Sequence, residues 1–320
     1  MSTFIPATTL AHSPGAIIVP TTLGVSSEAA YPFAALFADL LERPVRVVHV
    51  QDFAFGADPI AGLELGVRIA KRIEGVGHAI AELPSPYLAV GPRDVTVQIR
   101  GGFPAREVLD ELKNDAVMAI VCLHGQVGER HFMLGSVAGK VIRAGHVPML
   151  AVRAPMEARR IQNILMPLDF SELESGAFDD VLHLAKKTGA TLHLQHAMDI
   201  RIPPVIQADH DLSVFAPPLA EKALLEDAEK QLLRYAEAAA KAHVEVTTAI
   251  VQAIEGIAAA LEREITDRDP DLVVMAAHGR NGLSRLLLGS VTEAAIQLST
   301  RPVLVLKPSK SVLELESVAS

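Results

Sequence analysis

The chain contains one unit used twice, and this internal repeat constrains its fold more than any other feature of the sequence. Matching segments recur at an offset of 147 residues early in the unit and 154 residues late in it. At the first offset the matches are Ile17–Pro20 with Ile164–Pro167 and His49 with His196. At the second they are His124-Gly125 with His278-Gly279, Gly135–Val137 with Gly289–Val291, and Pro148 with Pro302. A repeat of this kind predicts two copies of one folding unit.

Each copy alternates short aliphatic runs with longer segments whose apolar residues recur at helical spacing. The predicted strands are Ala16–Val19, Val45–Val50, Val95–Arg100, Val117–Leu123 and Met149–Val152, then Ile164–Pro167, Thr191–Ala197, Val244–Val251, Leu272–Ala276 and Val303–Leu306. Among the predicted helices are Ser27–Glu42 and Ile254–Arg268. Aliphatic strands alternating with helices are typical of a parallel sheet covered on both faces. The sequence therefore predicts an α/β fold of two tandem, doubly wound, parallel five-stranded sheets.

The repeat predicts domain 1 at residues 1–155, domain 2 at residues 156–309 and a tail at residues 310–320. The second copy is longer by seven residues, which we place in the proline-rich stretch Met198–Pro218. A loop of that length inside a compact domain is usually functional or mobile.

Composition and charge argue against several classes of protein. The formal net charge of −9 disfavours nucleic acid as the main partner, although a local basic pocket for a phosphate is compatible with it. The single cysteine, Cys122, excludes an intrachain disulfide and a multi-cysteine metal site, and it fits a reducing compartment. Residues 1–27 lack charged side chains, but prolines interrupt them and no basic residue precedes them. We therefore expect no membrane span and no signal peptide, and we predict a soluble cytoplasmic protein.

A strand, a glycine-containing loop and a helix start follow one another between Val273 and Glu293. In a doubly wound sheet, ligands bind beyond the carboxyl ends of the strands, where the strand order reverses. There this loop would meet the loop after the first strand of the copy, which contains Asp169. Asp169 is predicted to accept a hydrogen bond from a ribose or to help to hold Mg²⁺. Gly279 and Gly289 would let a phosphate approach the backbone, and Ser290 with the next N–H groups would bind it.

The same residues have a purely structural alternative. Ser290 with Glu293, and Ser171 with Glu174, match the capping box that closes a helix N-terminus. Gly279 would then only end a strand in a tight turn. Capping does not require the spacing of the whole set, however, and that spacing is what indicates a ligand site.

The spacing resembles the nucleotide motif of the universal stress protein family, Gly-x2-Gly-x9-Gly-(Ser/Thr), with Pro-x-Asp after the first strand. His278-Gly279, nine residues and Gly289-Ser290 match the larger part of it, Gly282–Val291 is typical of the family, and Arg301–Val305 resembles its closing strand. The resemblance covers residues 15–155 and 160–308, as in the tandem two-domain form of the family. It implies a Rossmann-like fold of the adenine nucleotide alpha hydrolase type, a role in the stress response, and ATP or AMP as ligand. The family pairs its last strands across a dimer, so the resemblance also implies that Met149–Val152 and Val303–Leu306 pair within one chain and cover an edge that otherwise invites association.

The resemblance also implies which residues of the second copy contact the nucleotide. Pro167, Leu168 and Asp169 would border the adenosine, with Asp169 near the ribose or a Mg²⁺ ion. The backbone of Ala197 would meet the adenine. The phosphates would be held by Gly279, Gly289, Ser290 and Val291. Ala276 borders the same site and stands where the family motif has its first glycine.

The first copy departs further from the motif. It keeps Gly125, Gly135 and Ser136, but Cys122 stands at the first glycine and Thr22 at the aspartate. Thr22 can hydrogen-bond a ribose, yet it lacks the charge to hold Mg²⁺ well. Cys122 is bulkier than alanine. Thr22 and the three residues that match the motif therefore form a weaker candidate site, and we expect a degenerate pocket.

Three functions are compatible with the sequence. The first is a regulatory or protective module whose adenine nucleotide controls a homodimer or the binding of a protein partner. The second is an interaction or scaffold protein, with both pockets degenerate and the two copies acting as a built-in dimer. The third is an enzyme, but no general base stands beside the phosphate loop, so we expect at most slow ATP hydrolysis. His49 and His196, at equivalent strand positions, are expected to be conformational or packing residues, and no spacing matches a set of metal ligands.

Overall fold

The computed structural model describes residues 15–52, 59–87, 92–123, 135–154, 156–171, 174–199, 217–277 and 288–307. Several predicted features lie outside these residues, namely Gly125, Gly279, most of the stretch Met198–Pro218 and the tail 310–320. Among the described residues, no helix is both long and apolar enough to cross a membrane.

Ten strands form the described part of the sheet. In the first copy they are β1 (Ala16–Thr21), β2 (Val45–Gln51), β3 (Val95–Gly101), β4 (Ala116–Cys122) and β5 (Met149–Val152). In the second they are β6 (Asn163–Pro167), β7 (Thr191–Met198), β8 (Val246–Gln252), β9 (Leu272–Ala276) and β10 (Val303–Leu306). Each run predicted from the sequence contains a strand. In the central strands, aliphatic side chains that point alternately to both covered faces are buried, whereas the edge strands β3 and β8 are only partly buried.

The described helices lie between these strands. In the first copy they are α1 (Val25–Glu28), α2 (Tyr31–Leu41), α3 (Pro59–Glu82), α4 (Pro104–Leu112) and α5 (Ser136–Ala144). In the second they are α6 (Glu174–Thr188), α7 (Pro217–Lys241), α8 (Ile257–Arg268) and α9 (Ser290–Leu298).

Two helices differ from the prediction, and each difference has a backbone cause. The predicted helix Ser27–Glu42 is broken into α1 and α2, because Pro32 stands in the first turn of α2 and has no N–H to donate to the Glu28 carbonyl. The predicted helix Ile254–Arg268 begins only at Ile257. Gly256 precedes it with φ +102°, a left-handed conformation that a helix cannot contain.

The strands form one sheet in the order β3-β2-β1-β4-β5-β10-β9-β6-β7-β8. Within each copy the five strands are parallel and doubly wound, as predicted. The strand order reverses between β1 and β4 in the first copy and between β6 and β9 in the second. A ligand site is expected at the carboxyl ends of these two strand pairs.

The two copies join through their last strands, at what we call the joint. β5 and β10 pair antiparallel, with Leu150 opposite Leu304 at the centre. This confirms the expected pairing of Met149–Val152 with Val303–Leu306 within one chain. Both leucines are fully buried, so the two five-stranded sheets continue into one another and share a core.

Side chains cover both faces of the sheet in two clusters that each extend over both copies. One face packs against α2, α3, α6 and α7, for example through Phe37, Ile73, Val181 and Leu232. The other packs against α4, α5, α8 and α9, for example through Leu112, Ile142, Ile265 and Ile296. Burial on both faces fixes the carboxyl ends of the strands, and therefore the loops beyond them, at one edge of the molecule.

Candidate functional site

The loop after β6 is shaped by Asp169. Its Oδ1 accepts a hydrogen bond from the Ser171 N–H at 2.9 Å, which is a turn closed by the side chain. Phe170, between them, has φ +60°. The first copy repeats this loop: Thr22 Oγ1 accepts from the N–H two residues later at 3.4 Å, and Leu23 has φ +58°. The two loops therefore share one backbone frame but differ in charge.

A histidine holds each loop against the neighbouring strand. His196 Nδ1 lies 2.8 Å from the Leu168 carbonyl oxygen, and His49 Nδ1 lies 3.0 Å from the Thr21 carbonyl oxygen. A carbonyl only accepts hydrogen bonds, so each Nδ1 carries the proton. Both histidines therefore position the loop after the first strand of their copy. The expectation that these equivalent residues have a conformational role is confirmed.

The end of β7 leaves backbone groups at the site. The ladder between β6 and β7 ends at Pro167 opposite Gln195, whereas the first copy continues one pair further, to Thr21 opposite His49. The Leu168 N–H donates to the Gln195 carbonyl at 2.7 Å. Alternate residues of a strand direct their N–H and C=O groups to the same side, so those of Ala197 face the side of β6 beyond its last pair. This is the edge at which the family resemblance places an adenine.

The N-terminus of α9 lies directly beyond β9. Gly289 is the residue before the helix, its N–H donates to the Ala277 carbonyl at 3.0 Å, and Ser290 is the first helical residue. Within the described residues, no side chain caps this helix. The capping-box alternative for Ser290 is therefore wrong: Glu293 turns away to pair with Arg143 at 2.9 Å. The N–H groups of the first turn point out of the helix end and favour an anion.

The start of α9 is uncrowded as far as the described residues go. Among them, a Cβ atom added at Gly289 would come within 4 Å only of the Ala277 carbonyl oxygen and Thr292 Oγ1, both at 3.7 Å. Thr292 donates from that hydroxyl to the Ala276 carbonyl at 3.0 Å, which ties the first turn of the helix to the end of β9. The residues present therefore fit a phosphate group at this helix start.

The floor of the site differs between the two copies. Cys122, at the end of β4, is 5% exposed, and its thiol lies against the Ser26 carbonyl in α1. Burial raises the pKa of this thiol to about 11, so it stays protonated near neutral pH. Ala276, the equivalent residue at the end of β9, is half-buried. The side chain of Cys122 therefore fills a space in the first copy. In the second copy, the smaller methyl group of Ala276 leaves the equivalent space open.

Sequence reasoning missed an aromatic group beside the site. Phe170 stacks on the His196 ring with centroids 4.3 Å apart, and Tyr235 of α7 lies at 6.2 Å from Phe170. Phe178 meets the Tyr235 ring edge to face at 4.8 Å. The sequence did contain a sign of this group. Aromatic residues make up only 4% of the chain, and Phe170 stands where the first copy has Leu23. This group gives the second-copy loop a rigid side wall.

The described residues contain no cluster of three or more His, Cys, Asp or Glu side chains that could hold a metal ion. Mg²⁺ prefers a few carboxylate oxygens together with phosphate oxygens and water. Asp169 is the carboxylate of the described part of the loop after β6, and a nucleotide would have to supply most of the remaining ligands.

The structure places most of the predicted site residues at one edge of the second copy. They are Pro167, Leu168, Asp169, Ala197, Ala276, Gly289, Ser290 and Val291. Gly279 lies outside the described residues. In the first copy, Thr22, Gly135 and Ser136 occupy the equivalent edge, and Gly125 lies outside.

Comparison with known proteins agrees with this architecture. The sequence model of the universal stress protein family matches residues 15–153 and 160–307, one match for each copy. The chain belongs to the universal stress protein family. It is a tandem member, since both matches fall in one polypeptide.

Relatives of this universal stress protein share its tandem length. A universal stress protein of Mycolicibacterium smegmatis is 26% identical over 300 residues, which are 91% of this chain and 97% of the relative. A universal stress protein of Mycobacterium bovis is 23% identical over 300 residues, or 92% and 97% of the two chains. The crystal structure of a universal stress protein from Archaeoglobus fulgidus has a TM-score of 0.61 at 20% identity and covers 92% of this chain and 98% of its own. This structural likeness supports the fold.

Proposed function

We propose that this universal stress protein binds an adenine nucleotide, ATP or AMP, in its second copy and acts as a regulatory or protective module of the stress response. One observation carries the proposal: the two copies build the same loop frame, but only the second combines a carboxylate, Asp169, with an open floor at Ala276. In the first copy the equivalent residues are Thr22 and the buried Cys122. This difference supports nucleotide binding in the second copy rather than in the first.

Each part of the nucleotide has a matching group in the second copy. The backbone N–H and C=O of Ala197 would pair with the adenine edge. Asp169, fixed by the Ser171 N–H, would accept from the ribose or hold Mg²⁺ against the phosphates. The N–H groups at the start of α9 would bind the phosphates, because a helix N-terminus carries partial positive charge.

The first copy would serve as a built-in partner that holds no nucleotide. Its sheet continues that of the second copy through the joint, and Arg143 of α5 pairs with Glu293 of α9. Glu293 lies within the first turn of α9. A shift of the start of α9 on nucleotide binding would therefore be transmitted to the first copy through Arg143. Through this contact the nucleotide would control assembly with a second copy of the chain or with a protein partner.

We propose no dedicated catalytic turnover. The Asp169 carboxylate has a structural task in closing its loop, which leaves it poorly suited to act as a general base. The free thiol of Cys122 and the net charge of −9 support a reducing cytoplasmic location and a partner other than nucleic acid.

The test replaces two residues of the second-copy site by the residues at the equivalent positions of the first copy. Wild-type protein is expected to bind ATP or AMP in calorimetry and to release an adenine nucleotide when purified, denatured and examined by mass spectrometry. The double variant Asp169→Thr/Ala276→Cys should lose at least about tenfold in affinity, because removing a hydrogen bond from a charged group costs roughly 1.5–3 kcal/mol.

The matched control is made in the first copy. Thr22→Val and Cys122→Ala alter the equivalent positions and should leave nucleotide affinity unchanged. If wild-type protein releases no adenine nucleotide and calorimetry detects no binding, the tandem interaction or scaffold protein becomes the better description.

A further inference from the structure

Gln195 is a buried polar residue whose side-chain oxygen has no partner. It lies in β7 and is 2% exposed, and among the residues that the structure describes its Oε1 has no hydrogen-bond partner. Its neighbours across the ladders are Pro167 in β6 and Ala249 in β8, so the surroundings suit an apolar side chain. A buried oxygen without a partner destabilises the folded protein. An unpaired amide at this position therefore calls for a functional reason.

The internal repeat shows that the fold does not need this amide. The residue equivalent to Gln195 is Val48, 1% exposed, which packs in the cluster on the same face of the sheet. A second buried oxygen without a partner is Ser171 Oγ, and its equivalent is Gly24. Among the described residues, both unpaired side-chain oxygens thus border the candidate site of the second copy. The first copy has an apolar side chain or none at these two positions.

Gln195 also stands beside the backbone edge proposed to hold the base. It is the last residue of β7 in register with β6, and its carbonyl accepts the Leu168 N–H. Ala197, two residues further, projects from the same face of the strand, roughly 7 Å along it. A base on the backbone of Ala197 would therefore lie next to the side chain of Gln195.

We propose that the side-chain amide of Gln195 reads the base and selects adenine over guanine. The inference rests on the proposed nucleotide binding and assigns base discrimination to one side chain. A carboxamide offers an acceptor oxygen and a donor NH₂ side by side. Adenine presents the complementary pair, a donor on N6 next to an acceptor nitrogen, whereas guanine has an acceptor, O6, in place of that donor. The buried atom of Gln195 without a partner is the acceptor Oε1, which the N6 donor of adenine satisfies and O6 of guanine does not.

The experiment compares ATP and GTP by calorimetry on the full-length protein. Wild type should prefer ATP by about 10- to 100-fold, since one bidentate pair contributes this much discrimination. Gln195→Val, which installs the residue of the first copy, should bring the two affinities to within about threefold, mainly by weakening ATP. Its thermal unfolding temperature should be unchanged or higher, because a buried unpaired oxygen is removed. If Gln195→Val is as stable as the wild type but no longer prefers ATP over GTP, Gln195 recognises the base and is not needed for folding.

The reciprocal variant Val48→Gln is the control. It buries an unpaired amide in the first copy, so it should lower the unfolding temperature and leave the ratio of the ATP and GTP affinities unchanged. The proposal is overturned if Gln195→Val keeps the wild-type preference, or if wild type binds ATP and GTP equally. In both cases nucleotide binding itself would stand. A wild type that binds neither nucleotide would instead refute the proposed function, and the inference with it.

Discussion

At the scale of single residues, two buried cations bridge the joint in equivalent positions. Arg153, after β5, donates from Nη1 to the Gln297 carbonyl near the end of α9 at 3.0 Å. Lys307, after β10, donates to the Arg143 carbonyl near the end of α5 at 3.4 Å. Each cation thus meets the negative end of a helix dipole in the other copy. They are only 6% and 9% exposed, and burial lowers the pKa of both, that of Lys307 to about 8.

The lowered pKa of Lys307 predicts that stability rises with pH above about 8. Below this pH both folded and unfolded chains carry the proton, and the cost of the buried charge is constant. Between about pH 8 and the ordinary lysine pKa of 10.5, the folded chain has lost the proton and the unfolded chain has kept it. The free energy of unfolding then increases by up to about 1.4 kcal/mol per pH unit. Denaturant unfolding at pH 8 and pH 9 measures this rise, which Lys307→Met should remove.

The comparison stops at pH 9 because, above this pH, titration of the Cys122 thiol changes the stability of the fold in the opposite direction. Burial raises the pKa of its thiol from 9.0 to about 11, so above pH 9 the unfolded chain loses a proton that the folded chain keeps, and stability falls. Lys307→Arg is the control, since it keeps a cation that does not titrate in this range and copies Arg153 of the first copy. A Lys307→Met protein with the wild-type rise between pH 8 and pH 9 would contradict the assignment.

The repeat shows how much of the site could be predicted at this scale. Equivalent positions are visible in the sequence, so Asp169 with Thr22 and Ala276 with Cys122 were found without a structure. The stacking of Phe170 on His196 and the isolation of the Gln195 oxygen were not. They depend on which face of a strand a side chain occupies and on what covers it, and no local pattern encodes the partner.

At the scale of elements, one arginine holds two helices together in the first copy. Arg93, before β3, makes two hydrogen bonds of 2.7 Å to the Asp39 carboxylate of α2. The same guanidinium donates to the carbonyls of Ile80, Ala81 and Leu83 at the end of α3. The Arg93 and Asp39 side chains are 7% and 2% exposed, so this is a buried ion pair with its donors satisfied.

Removing one member of this pair should destabilise the protein more than removing both. Asp39→Ala leaves a buried guanidinium without its counter-charge and should lower the free energy of unfolding by about 3–5 kcal/mol. Asp39→Leu/Arg93→Met replaces the pair by apolar side chains and should cost distinctly less. Chemical denaturation of the variants measures both values. A larger loss in the double variant would show that the carbonyl bonds of Arg93, which Asp39→Ala leaves in place, fasten the helices rather than the ion pair.

Elements were predicted far better than the contacts between them. Strands followed from aliphatic runs, and their ends agree with the structure to within a few residues. The break at Pro32 and the late start of α8 after Gly256 were missed because helical periodicity continues across both positions. The pairing of Arg93 with Asp39, 54 residues apart, has no counterpart in the second copy, where Lys186 stands at the position of Asp39. The repeat therefore gave no hint of it.

At the scale of the whole molecule, the joint turns two folding units into one body. β5 and β10 were predicted to meet because the family that the sequence resembles pairs its last strands, and such a pair covers an edge that otherwise invites association. The antiparallel pair does cover these edges, and both core clusters extend across it. Tyr87 of the first copy adds a second link, since its hydroxyl accepts the Ile161 N–H at 2.8 Å and lies 3.2 Å from the carbonyl of the same residue.

A continuous sheet with shared cores predicts that the two copies unfold together. Scanning calorimetry of the wild type should show one transition. Leu150→Ala/Leu304→Ala removes the central pair of the joint, and each truncation of a fully buried leucine costs about 2–5 kcal/mol. Because that loss falls on the contact between the copies, the variant should show two transitions, one for each copy.

Leu192→Ala is the matched control, because Leu192 is equally buried but lies in β7, away from the joint. It should lower the temperature of unfolding and keep a single transition, since the joint still couples the copies. One transition in the joint variant would mean that contacts outside β5 and β10, such as those of Tyr87, suffice for coupling. Two transitions in the wild type would mean that the joint aligns the copies without making their folding cooperative.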